Sequence, residues 1–158
     1  MAQTTPTLLS DAAYNTVLSN KNEPQNNLAQ IATISVPATT AQNTVIGMIP
    51  FEAGFSLLGY ALKVPDLDSS TNVTYDVGYC YPAAFGSSTT EDLAAFATGA
   101  SAQTATSVIW PTAGGLLTGV SFTATQPGYI TIRITGGATT TTGTFSMLAQ
   151  FTYNMSAT

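Results

Sequence analysis

Asp66, Asp68, Ser70 and Asn72 stand at alternate positions in the stretch VPDLDSSTNVTYDVGY, residues 64–79. That is the spacing at which a calcium loop presents its first oxygen ligands. Such a loop also needs a glycine at its sixth position and a bidentate glutamate at its twelfth. Counted from Asp66, those positions hold Thr71 and Val77. The flanking residues read as strands, where the calcium loop has helices. Two readings remain: a calcium site of another kind built from Asp66, Asp68 and Asp76, or a turn whose Asp and Asn side chains cap their own backbone. The turn is the expectation.

Other chemistries are narrowed by residue type. The chain contains no histidine and one cysteine, Cys80. Histidine triads, histidine-ligated metals and cysteine zinc sites are therefore excluded. Cys80 lies in Tyr79-Cys80-Tyr81 and reads as a small buried hydrophobe with no basic neighbour to activate it. Paired carboxylates could hydrolyse a glycoside, and the candidates are Glu52, Asp66, Asp68, Asp76, Glu91 and Asp92. Glu91 and Asp92 suit the start of a helix better. Glu52, in PFEAGF, reads as a turn carboxylate. Gly114-Gly115 and Gly136-Gly137 lack the helix and lysine of a phosphate loop. Trp110 and seven tyrosines could stack on a sugar, but Trp110 beside Pro111 reads better as an interface anchor.

These side chains stand in an unusual background. The 158 residues are 44% apolar but only 7% charged, against about 25% charged in typical soluble domains. Thr, Ser, Asn, Gln and Ala fill the gap. A surface poor in charge repels neighbours weakly and resembles the depleted centre of an interface, so assembly is expected. The net charge is −5, and the basic residues are Lys21, Lys63 and Arg133. These build no basic patch, so neither nucleic acid nor an anionic membrane is an expected partner, and no cofactor is expected. The N-terminus lacks a positive, apolar leader and no run is long enough to span a bilayer, so synthesis in a cytoplasm is expected. For that reason the sequons at Asn72 and Asn154 are discounted.

The elements that would hold these residues are mostly strands. Residues 1–28 are polar and irregular, an N-terminal arm with room for a short helix from Ser10 or Asp11 to Leu18. A β-sandwich domain is expected over 29–158. QIATISV, TVIGMIPF, GFSLLGYALKV, NVTYDVGY, ATSVIW, LLTGVSFTAT, GYITIRIT and TFSMLAQFTYNM read as strands separated by turns. Between the fourth and fifth, Ser88-Thr89-Thr90-Glu91 fits a capping box. Leu93, Phe96 and Ala97 follow at helical spacing and Gly99 is placed to stop the helix. The expected fold is all-β, an antiparallel β-sandwich of jelly-roll type with one short helical insertion.

LLGYALKVPDLDSSTNVTYDVGY, TEDLAAFATGASAQ and GYITIRI together resemble small structural proteins of tailed bacteriophages, over residues 54–153. The resemblance implies a virion component made in the host cytoplasm. The type is a capsid decoration (cement) protein, a β-sandwich that is frequently trimeric and binds the major capsid protein lattice. A tail module that recognises a cell-surface glycan is the alternative. The residues expected to carry contacts are Leu8, Leu9 and Tyr14 of the arm, Phe51, Glu52 and Phe55, Trp110, and Thr140 and Thr141 in the Thr-rich loop. No catalytic role is expected.

Overall fold

The computed structural model describes residues 3–11, 27–68, 72–85, 91–110 and 122–153. Among these residues ten strands form two sheets: β1 (Leu8–Leu9), β2 (Asn27–Val36), β3 (Val45–Phe51), β4 (Phe55–Val64), β5 (Thr74–Cys80), β6 (Asp92–Ser101), β7 (Thr106–Trp110), β8 (Phe122–Thr123), β9 (Gly128–Thr135) and β10 (Gly143–Tyr153). Sheet I has the order β1-β3-β9-β5-β6 and sheet II the order β2-β10-β4-β7, with β8 also paired to β4. All pairs are antiparallel except β1 with β3.

Counting the eight longer strands along the chain, sheet II takes the first, eighth, third and sixth. Sheet I takes the second, seventh, fourth and fifth. That is the interleaved order of a jelly roll, two Greek keys folded on each other. The fold is the expected all-β sandwich, reached with a different set of eight strands.

The alternation in the sequence sets the core. Phe145, Met147, Ala149 and Phe151 of β10 point inward and are fully buried. They meet Ile130, Ile132 and Ile134 of β9 from the opposite sheet. Tyr75 and Phe145 pack edge to face across the layer, centroids 6.1 Å apart, the arrangement the ring quadrupoles favour.

The helix expected over 88–99 is not found among the described residues of that span. Residues 92–101 form β6, an edge strand of sheet I. The cause is bulging. Ala97 to Ala100 of β6 span what Tyr75 to Val77 span on β5, and Asp92 to Ala97 span what Val77 to Tyr79 do. Extra residues in one strand replace a period of two by longer steps, so Phe96, Ala97 and Ala100 pack on the main core, and Leu93 on Cys80 and Tyr129, at spacings that imitate a helix. Gly78 makes the bulge possible. A Cβ there would lie 2.1 Å from the Asp92 carbonyl oxygen and 2.3 Å from the Leu93 carbonyl carbon. The expected strand over 116–125 is described only at Phe122–Thr123. The helix expected to run to Leu18 falls almost wholly outside the described residues.

Candidate assembly interface

The Asp-rich stretch closes on itself. Asp68 is buried, and its Oδ2 accepts N–H bonds from Asn72 and Val73. Its Oδ1 accepts the Thr140 hydroxyl at 3.1 Å, and Asp66 Oδ1 accepts the Asp68 N–H at 3.2 Å. This is the self-capping turn. The loop after β9 is pinned to it: the Thr141 hydroxyl donates to the Asp66 carbonyl and the Thr140 N–H to that of Leu67. Asp76 faces elsewhere. It pairs with Arg133, directly opposite on β9, and accepts the Gly99 N–H at 2.7 Å. Among the described residues no three carboxylates or thiols gather as metal ligands would.

Glu52 sits half-buried in the turn between β3 and β4, where its carbonyl accepts the Phe55 N–H. Phe51 is buried and packs edge-on against Tyr81 and Phe122. Phe55 packs edge-on against Phe151. These rings belong to the interior. Trp110 ends β7, its backbone opposite Tyr60; its side chain, and all of Tyr14, lie outside the described residues. Cys80 is buried, and burial first, the Glu91 charge second, push its thiol from 9.0 up to about 12.

The two sheets differ in what covers their outer faces. Over sheet I lies the N-terminal segment. The Thr4 N–H and hydroxyl are held by the Glu91 carboxylate. The Gln3 amide donates to the Tyr81 carbonyl at 2.9 Å. Leu8 and Leu9 then pair with Ile46 and Gly47, and Ser10 hydrogen-bonds to Gly47 and Met48. Gly47 leaves room for this strap, since a Cβ there would meet Leu9 Cδ2 at 2.8 Å. Every residue of β3 is consequently buried. Glu91, expected to cap a helix, anchors the strap.

Sheet II has no such cover among the described residues. The registers Ile31–Leu148, Leu148–Ala61 and Ala61–Ile109 place four apolar side chains in one row across all four strands. Ile31 is 72% exposed and Ile109 68%. They border a shallow open depression of about 300 Å³. The next row is Thr33, Ser146, Lys63 and Ser107. Lys63 is the only charged residue in the four strands. Sequence reading missed this row. Its signal was an apolar residue on the polar side of a strand, as Ile31 beside Thr33 and Ser35, or Leu148 opposite Met147.

No protein-family profile matches the sequence, and no curated protein is significantly similar to it. Solved structures with the same fold exist. A chain of the capsid of Ralstonia phage GP4 superposes with a TM-score of 0.62 at 14% identity, covering 93% of this chain and 97% of that one. A chain of the cyanophage Pam1 capsid asymmetric unit gives 0.59 at 13% identity, covering 87% and 93%. The likeness runs through both sheets, so the jelly roll is common to all three chains.

Proposed function

We propose that this chain is a structural protein of a tailed-phage virion that binds and stabilises the assembled capsid, rather than an enzyme. The observation that carries the reading is the shared fold along nearly the whole chain with two chains of phage capsids. The open outer face of sheet II, with Lys63 as its one charge among the described residues, supports it, because such a face gains by being covered. Stabilisation follows by mass action: a protein that binds only the closed shell adds about 2.7 kcal/mol per site at a free concentration one hundred times Kd. A trimer seated on a three-fold of the lattice gains further from multivalency. Leu9 and Thr140, whose side chains reach solvent, would be contacts of the outer rim.

The test is to mix the purified chain with heads of the parent phage that lack it, sediment the heads, and measure their thermal disruption. Saturable co-sedimentation with a raised disruption temperature is expected. A chain that stays in the supernatant at every concentration would refute the proposal.

A further inference from the structure

Among the described residues, nothing pairs with the outer edges of β2 and β7, the two ends of sheet II. Natural sheets blunt an exposed edge with charge, proline or bulges, or cover it. β2 and β7 contain neither a charged residue nor a proline. Sheet I is guarded at both ends. β1 is two residues long, and β6 carries Asp92 and two register breaks.

The strand number of sheet II adds a second point. Its four strands pair antiparallel throughout, so β2 and β7 run in opposite directions. A second copy in the same orientation, turned about an axis along the strands, brings its β2 antiparallel to the β7 of the first. That contact is head-to-tail, the kind that forms a ring where the rotation between copies closes and a filament where it does not. The apolar row adds the third point. It ends on β2 at Ile31 and on β7 at Ile109, which are the two most exposed large apolar side chains among the described residues. Joining the edges continues the row from one copy into the next.

We infer that copies of this chain assemble into a closed ring by pairing β7 of one with β2 of the next, Ile109 of one packing against Ile31 of its neighbour. The backbone ladder supplies the unpaired N–H and C=O groups of each edge with partners, and the two isoleucines leave water together. With no acid on the face and only Lys63 as charge, no like-charge pair opposes the contact. The inference stands apart from the capsid proposal. A ring that ignores phage heads would keep the one and remove the other.

Cysteine pairing tests it. Ile31→Cys and Ile109→Cys are surface changes on opposite edges of one sheet. Three strand spacings separate them, about 14 Å, whereas a disulfide needs Cα atoms within about 7 Å. Any bond between them is therefore between chains, and Cys80 is buried. An oxidised mixture of the two single variants should give a covalent dimer on a non-reducing denaturing gel, while each variant alone gives none. The double variant should give a ladder that stops at one size. In light scattering, the unmodified chain should have the mass of that ring, and Ile31→Lys with Ile109→Lys the mass of one chain. No dimer in the mixture, dimers of one variant with itself, an endless ladder, or a single-chain mass for the unmodified protein would each overturn the ring.

Discussion

The outer faces of the two sheets come from similar strands and meet different fates. On sheet I the chain ties Gln3 and Thr4 to Tyr81 and Glu91, sets Pro6 and Leu9 against Gly47, pairs Leu8–Leu9 beside β3, and folds the Asp92–Ala94 backbone over Gly78. On sheet II the corresponding face carries Ile31 and Ile109 in the open, with Ala61 and Leu148 half-buried between them. The strands record the difference. β3, VIGMIPF, is apolar on both sides and buried on both. β10 alternates, with one apolar residue, Leu148, on its polar side. Apolar character on both sides marks a face the chain covers itself. An apolar residue out of phase marks a face left for something else.

Substitutions should separate the two faces. The largest effect belongs to Gly78→Ala. A methyl group there collides with backbone rather than a movable side chain, so β6 must leave its place. The expected loss is about 3 kcal/mol, at the upper end for overpacking, read from the urea midpoint. A variant as stable as the parent would show that β6 does not cross Gly78.

Next comes Asp76→Ala. It leaves the Arg133 guanidinium and the Gly99 N–H without their carboxylate. Breaking a buried pair costs several kcal/mol, but Arg133 is 32% exposed, so about 2 kcal/mol is expected. The same urea measurement checks it, and an unchanged midpoint would contradict the cross-strand clamp.

Alkaline titration is gentler. Cys80 holds its proton up to about 12 in the folded chain against 9.0 ordinarily, and burial raises Tyr75 as well. The unfolded chain therefore releases these protons first. Their contribution to stability is full below pH 9 and is lost as pH rises towards 12. The thiol should also resist alkylation at pH 8 in the folded protein and react once urea unfolds it. Rapid labelling of the native chain would mean that the cover over sheet I opens readily.

The smallest effect is expected on sheet II. Ile31→Thr removes an apolar group from water rather than from a core, and the change should stay within about 0.5 kcal/mol for the single chain. A loss well above that would mean Ile31 is already covered.

Much of this was legible in the residues. The long alternating strands, the jelly-roll class and the self-capping Asp66–Asn72 turn follow from local pattern, because side-chain period and turn chemistry are local properties. A helix was expected over 88–99, where β6 runs from Asp92 to Ser101, because bulges replace a period of two by spacings near those of a helix, and nothing inside the segment reveals the partner strand that forces them. The strap was illegible for a related reason. Leu8 and Leu9 form a strand only because Ile46 and Gly47 lie beside them. The open row needs registers between four strands that lie far apart in the chain, and alternation alone says which residues share a side, never which side stays bare.

Strand β10 lies in the middle of sheet II, with Thr152 opposite Asn27 and Tyr153 opposite Phe55. A ribosome makes β2 and β4 long before it makes β10; β4 can meanwhile pair with β7 and β8, but β2 has no partner in sheet II until β10 arrives. The row from Ile31 to Ile109 thus exists only once β10 joins β2 to β4. A fragment that stops short of β10 would therefore offer a second copy no continuous row from Ile31 to Ile109.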